Sequence, residues 1–572
     1  MNIYTWGIVI SIAVYLAVGS WAGRKVKGLE DYFVAGRQAP TLLLVGTLVA
    51  SLLSTNAFLA EVGLAYRGFG SLMLILVLVN AVGYVGGALL FGRQLRRSRA
   101  LTVAEYFGKR FDSRRVQVVA GITIVVGLGA YLVAVTQGAA LIITQVSDIS
   151  YPVAMMITWA GYTIFTLNAG SRGVIITDTM MFLLFTIVAF VALGFIITTT
   201  GGWFETINAL ALYEPKPGII SWHGAVATGA SWETPAEGFM WALILGLAWS
   251  AVVAVSPWQA SRYLMAKNEH TVIRSACGAT IALLVLYPAL MLSGAAINLI
   301  NPSIEPAERA ILWAASNMMP PIAGVLLMAG IMAAALSSAT TFLSLVGFSV
   351  SNDIMQHHTT DDVRLLRNSR IAMLVVSLFG LSLAMAFPPK ILLITYFAGT
   401  VFASSWGPVA LMSVWSKRIT KGAAFWGIVV GFFGNIIPKV LATVDIIDLP
   451  VWADPIVIGA LLSTITIVLV SRRGEVTKAE AIYREQLHVV PVAEMEEGLI
   501  RSTSRWPMYM IVSGVLMAVL MVSFWVLPYA DSMQQSALFS GEMVLALSWG
   551  SMLIVIGVLL YRYLRVWQGS DL

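Results

Sequence analysis

The chain is a succession of apolar runs, most of them about twenty residues long, separated by short polar loops. A run of that length crosses about 30 Å of hydrocarbon as a helix, and lipid admits only helices or closed barrels. The runs lie at 3–23, 40–66, 70–92, 115–145, 150–168 and 174–200. They continue at 238–264, 272–300, 310–352, 367–387, 390–416, 421–441 and 453–471, then 506–528 and 541–565. About fifteen transmembrane helices are therefore expected. Composition agrees, because 58% of the 572 residues are hydrophobic and 11% are charged. So few charges cannot cover a soluble protein of that size. The class is an all-α, multi-pass protein of the plasma (inner) membrane, with lipid around it.

Basic residues set the orientation. RKVK (24–27), RQLRRSR (93–99), KRFDSRR (109–115), SRYLMAKNEHTVIR (261–274), RLLRNSR (364–370), SKRITK (416–421) and SRR (471–473) fall in alternate loops. The loops between them are poor in Lys and Arg and partly acidic, as in EPKP (214–217) and IEPAE (304–308). Placing the basic loops in the cytoplasm puts the N-terminus outside and the C-terminus inside. The net charge of +6 is then a topological signal. Nucleic-acid binding would need a basic soluble domain, and no segment reads as one. The first run has no cationic region before it and is too long for a signal-peptide core, so it is read as retained.

Enzyme signatures are missing from the sequence. The single cysteine, Cys277, rules out a disulfide framework and a Cys-based zinc site, and no transition-metal site is read. No GxxxxGK[ST] loop occurs, and Ser, His and Asp show no hydrolase spacing. His357 and His358 beside Asp361 and Asp362 read as a solvated cytoplasmic loop. The polar segment 472–505 reads as a partly helical cytoplasmic linker, available to a cytoplasmic partner, and 201–237 reads as an external loop.

The polar residues inside apolar runs point to transport. SLLSTNAFLAE (51–61) interrupts the second run with Ser, Thr, Asn and Glu, and LAWSAVVAVSPWQ (247–259) breaks the seventh at Ser-Pro. Paired interrupted helices opening two halves are what an inverted five-helix duplication requires. Taken singly, each polar cluster could instead bond back to its own helix. Ser337, Ser338, Thr340, Thr341 and Ser344 crowd one segment, and Ser337, Thr341 and Ser344 share a face at about 100° per residue. The hydroxyls of Ser337 and Ser338 and the carbonyl of Ala334 supply three hard oxygens, suited to sodium. An unwound stretch at Ala50 to Leu53 could add carbonyls. Close packing of small residues would explain their size but not so many hydroxyls. Asp178 is a further ionisable group inside a run, costly unless functional or capping. Glu61 reads as lying near the outer end of its run.

Together these segments resemble the sodium:solute symporter family, most closely its proline-carrying members. The resemblance runs along 1–471 and rests on LEDYFVAGR (29–37), LTVAEYFGKRF (101–111), TDTMM (177–181) and SPWQASRYLMAK (256–267). It continues in AAALSSATTFLS (333–344), SNDI (351–354) and GPVALMSVWSKRITKGAAFWGIVVG (407–431). It implies a leucine-transporter-like inverted repeat, about 40–200 and 238–416, within a transport core at 1–471. The linker 472–505 and two accessory helices with a tail at 506–572 would follow. The family's sodium site falls on the carbonyls of Ala50, Leu53 and Ala334 and the hydroxyls of Ser337 and Ser338. A second sodium site found in some members falls on Asp178, Ser337, Thr340 and Thr341. Tyr131 and Trp249 match solute-lining aromatics, and the solute site is read as Ser54, Thr55, Asn56, Tyr131, Trp249 and Tyr396.

The implied function is uptake of a small organic solute driven by sodium, with no covalent chemistry. Leu52 and Asn56 stand where the proline-carrying members have Asp and Trp, which separates this chain from them. Proline or another compact zwitterion, or a quaternary amine, suits an aromatic pocket. A monocarboxylate is the other solute class. A non-coupled channel or a membrane sensor component is the reading of another kind, marked by uptake indifferent to sodium.

Overall fold

The computed structural model describes residues 3–23, 28–355 and 362–569. RKVK (24–27), His357, His358 and Asp361 lie outside the described residues. The longer helices are labelled in chain order. They begin with α1 (Ile3–Gly23), α2 (Thr41–Leu52), α3 (Gly70–Gly87), α4 (Arg114–Val146) and α5 (Tyr151–Thr199). Next come α6 (Pro235–Val255), α7 (Pro257–Met265), α8 (Glu269–Ile297), α9 (Pro321–Phe348) and α10 (Asp362–Ala386). The last are α11 (Ile391–Trp415), α12 (Lys421–Thr443), α13 (Pro455–Ser471), α14 (Arg505–Met521) and α15 (Gly541–Gly569).

Among the described residues, 12 helices are long and apolar enough to cross a membrane, and two apolar helices, α2 and α13, are shorter. Two of the expected divisions stand and one boundary moves. The runs 150–168 and 174–200, labelled together as α5, are two helices divided at Gly170, whose φ of 59° and ψ of 178° leave the helical region. Glycine reaches that conformation without a Cβ clash, and Tyr32 packs where a Cβ would stand. The runs 40–66 and 70–92 likewise divide at Gly68, whose φ of 106° and ψ of 10° leave the helical region. The run 310–352 starts late, since Ala310–Asn317 is a separate short helix and Pro320 and Pro321 open α9.

Two interruptions shape the centre. After α2, Leu53 adopts φ −80° and ψ 77°. Ser54 N then donates to Leu52 O at 3.0 Å, and Ala57 N donates to Ser54 O at 3.2 Å. Asn56 N donates to Ser54 Oγ at 3.1 Å. Short polar side chains offer the backbone these local bonds in place of the helical ladder, which is why the helix opens at this Ser-Thr-Asn. The second interruption is at Ser256, whose extended φ −61° and ψ 151° precede Pro257 at the first turn of α7. Proline disfavours helical geometry in the residue before it but suits a first turn. The two breaks are tied together, for Gln259 Nε2 of α7 donates to Leu48 O and Ser51 Oγ of α2, both at 3.3 Å.

α5 and α9 pack along each other, and both meet α2. The motifs of the basic loops also converge. Asp353, of SNDI, accepts from Thr102 Oγ1 at 2.7 Å, Gln117 Nε2 at 2.9 Å and Ser349 Oγ at 3.0 Å. Arg97 forks onto Glu269 at 2.5 and 2.7 Å, joining the loop after α3 to the start of α8.

The last two helices dock on this core from outside it. α14 and α15 cross at Gly514 and Gly550, where a Cβ on either would lie 2.5 Å from the other's carbonyl oxygen. Trp549 Nε1 donates to Leu284 O of α8 at 2.9 Å. The segment 472–505 is strapped to the basic loops, with Arg110 Nη1 donating to Glu480 O at 3.2 Å and Arg97 Nη1 to Leu487 O at 2.7 Å. Both interruptions and all their bonds precede residue 471. A chain ending after residue 475 is therefore expected to insert and unfold cooperatively, at a lower temperature than the full chain. Circular dichroism melts of the two purified proteins check this, and a truncated chain that never folds would show the tail to be part of the core.

Candidate ion and solute sites

The break in α2 exposes two particular carbonyls. In a continuous helix the N–H of Ser54 would satisfy Ala50 O, and that of Ala57 would satisfy Leu53 O. Here those N–H groups bond Leu52 and Ser54 instead. Facing them from α9, Ser338 Oγ lies 3.5 Å from Ala50 O. Ala50, Leu53, Ala334, Ser337 and Ser338 are all buried. Oxygen atoms that have lost their helical partners, beside a buried hydroxyl, are a donor set that fits sodium. Ser337 turns elsewhere, donating to Asp178 Oδ1 at 2.6 Å.

Asp178 is the centre of a second polar cluster. Its Oδ2 accepts from Thr47 Oγ1 at 2.5 Å and faces Arg262 Nη2 at 3.3 Å, with both charged side chains buried. Arg262 Nη2 also donates to Thr341 Oγ1 at 2.6 Å, while Thr340 Oγ1 meets the Tyr15 hydroxyl at 3.0 Å. The cation beside Asp178 is thus a guanidinium carried on α7. Three of the crowded hydroxyls of α9 have partners here, and each partner comes from a different helix. In the sequence Arg262 stands only within the motif SPWQASRYLMAK (256–267). Its strong signal was a charged residue five positions beyond a helix-opening proline, inside an apolar chain.

The solute-site residues divide. Asn56, Tyr131, Trp249 and Tyr396 line one small cavity of about 10 Å³, room for about one water molecule in this conformation, together with Leu52, Glu61, Met73, Asn80 and Tyr287. Ser54 and Thr55 are taken up by the break: Ser54 Oγ caps Asn56 N, and Thr55 packs against Gly138 of α4. Tyr131 leans on Phe342 with ring centroids 4.4 Å apart, and Trp249 meets Tyr396 at 5.7 Å. The Trp249 ring fits because Gly399 has no side chain, since a Cβ there would lie 2.9 Å from it. Tyr396 also lines a wider cavity of about 410 Å³, shared with Arg67, Trp232, Trp241, Glu308 and Lys390. One tyrosine separates the two spaces. Glu61 is the residue the sequence reading set aside, and it belongs to the inner cavity because the irregular turns after Thr55 carry it inward.

A family model described as "Sodium:solute symporter family" matches residues 32–431. The chain belongs to the sodium:solute symporter family. Among its symporter relatives, the sodium/pantothenate symporter of Escherichia coli (strain K12) is 27% identical over 488 residues, 82% of this chain and 96% of that one. The sodium/proline symporter of Salmonella typhimurium (strain LT2) is 24% identical over 496 residues, 83% of this chain and 93% of that one. A solved structure of a Na+-coupled sialic acid symporter, in a substrate-bound outward-open state, matches with a TM-score of 0.70. It is 20% identical and covers 84% of this chain and 99% of that chain, which establishes a shared leucine-transporter-type fold. This symporter is accordingly a transporter and not an enzyme, a multi-pass plasma-membrane protein whose coupling ion is sodium.

The Asp178–Arg262 pair yields a stability test. Removing one member of a buried pair leaves the other charge uncompensated, typically at a cost of about 3–5 kcal/mol, whereas removing both costs far less. Asp178→Asn is expected to lower the unfolding temperature sharply, and Asp178→Asn with Arg262→Met to restore most of it. Equal loss in both proteins, by fluorescence melting in detergent, would show the pair to be incidental.

Proposed function

We propose that this symporter binds one sodium ion at the break in α2 and one compact organic solute in the cavity beside it. Inward sodium flow would carry both to the cytoplasm. The observation that carries this reading is the pairing of freed carbonyls at Ala50 and Leu53 with Ser338 across the α2–α9 contact. The proposed sodium ligands are the carbonyls of Ala50, Leu53 and Ala334 and the hydroxyls of Ser337 and Ser338. An N-terminus outside, a C-terminus inside, about fifteen crossings and two inverted repeats belong to the same proposal. Supporting it are the alternating basic loops and the two tied interruptions. Relatives named for pantothenate and for proline leave the solute to the pocket's own chemistry. An aromatic lining from Tyr131, Trp249 and Tyr396 favours a compact zwitterion such as proline, or an amine, over a monocarboxylate.

A second sodium at Asp178, Ser337, Thr340 and Thr341 would have to displace Arg262, so one ion per cycle is the reading adopted. One ion suffices energetically. A potential of about 100 mV gives about 2.3 kcal/mol per charge. A tenfold sodium gradient adds about 1.4 kcal/mol, for roughly several hundredfold accumulation of a neutral solute.

Uptake into proteoliposomes is expected to rise hyperbolically with sodium, with a Hill coefficient near one. Ser338→Ala is expected to raise the half-saturating sodium concentration by about tenfold, equivalent to about 1.4 kcal/mol. A wild-type Hill coefficient approaching two would restore the second ion. Uptake indifferent to sodium would replace symport with a channel or a sensor component.

A further inference from the structure

Glu61 is a buried carboxylate on the wall of the solute cavity. Its Oε1 accepts from Asn56 Nδ2 at 2.7 Å and its Oε2 accepts from the Tyr287 hydroxyl at 2.8 Å. Both oxygens receive donors, the arrangement that suits the ionised form. Among the described residues no Lys or Arg lines this cavity, and none forms an ion pair with Glu61. This contrasts with Asp178, which has its own guanidinium. A membrane carboxylate without a countercharge is costly, and such groups normally face the pathway of what is transported.

The neighbouring atoms say what kind of countercharge fits. Turning its amide nitrogen to Glu61 leaves Asn56 with Oδ1 buried and without a partner, and Asn80 Oδ1 is in the same condition. Both residues line the cavity. Two orphaned acceptors beside a carboxylate call for a cation that carries hydrogen-bond donors. The rings of Tyr131, Trp249, Tyr287 and Tyr396 complete the wall, and aromatic faces also favour a cationic nitrogen. Trp249 Nε1, the orphaned donor, remains for an acceptor at the other end of the solute.

We infer that Glu61, with Asn56 and Asn80, forms a subsite for an ammonium group bearing N–H bonds, so that the solute is a primary or secondary amine. This rests on the solute site proposed above. It separates amines with N–H donors from N-methylated quaternary amines, which have no N–H to offer these acceptors, and from carboxylates without a nitrogen cation.

The test is thermal stabilisation of the purified full chain in sodium. The probes are L-proline, ethanolamine and putrescine as N–H cations, choline and glycine betaine as quaternary amines, and L-lactate and pantothenate as anions. At least one N–H cation is expected to bind more tightly than every quaternary amine and anion. Glu61→Gln is expected to weaken that binding at least tenfold and to leave stabilisation by sodium alone unchanged. Tighter binding of a quaternary amine or an anion, or no binding of any N–H cation at 10 mM (roughly a 3 kcal/mol affinity floor), would overturn the subsite. So would undiminished amine binding by a folded Glu61→Gln protein. The ranking in the wild type stands even where the variant fails to fold. Absence of stabilisation by sodium itself would fall on the sodium site instead, leaving the two failures distinguishable.

Discussion

Within hydrocarbon a backbone carbonyl has nowhere to turn except to its own helix or to a partner supplied by the protein. The rest of this structure depends on where that rule is suspended. α2 stops at Leu52 because Ser54 and Asn56 offer the chain local bonds. The carbonyls freed there can persist only if something cationic or hydrogen-bonding lies opposite. α9 lies opposite with Ser338, and Gln259 of α7 fixes the end of α2 through Leu48 and Ser51. The second interruption, at Ser256, thereby holds the first in place. A small cavity, the proposed solute site, then forms beside the gap, lined by Asn56 and Glu61 from the chain beyond it.

Charge is distributed by the same logic. Asp178 and Arg262 neutralise each other where α5, α7 and α9 meet, with Thr47, Ser337 and Thr341 completing their hydrogen bonds. That pair sets the spacing of three helices around the proposed sodium site. Among the described residues Glu61 has no such partner, so its countercharge is left to whatever enters the cavity. Two buried carboxylates in one protein thus have opposite roles, one structural and one open to a ligand.

Much of this was legible in the sequence. The apolar runs located the helices, Ser-Pro located the second break, and the crowded hydroxyls of α9 marked a polar face. What escaped were properties of three-dimensional neighbourhood. Asp178 suggested a bound cation, but only the fold brings Arg262, 84 residues later, to its side. Ser54 and Thr55 read as solute contacts by position, yet the irregular turn that follows points Asn56 and Glu61 at the cavity instead. Glu61 read as lying near the outer end of its run, and the irregular turns after the break bring it to the cavity.

The central claim is that sodium occupies the gap in α2, where it would take the place of missing helical bonds. Hydrogen–deuterium exchange of peptides covering residues 48–60 measures this directly in the solute-free protein. Sodium in place of potassium is expected to slow exchange at the amides around the break, and Ser338→Ala is expected to abolish the difference. Identical exchange in the two salts, in a protein that remains folded, would contradict a sodium site at this break.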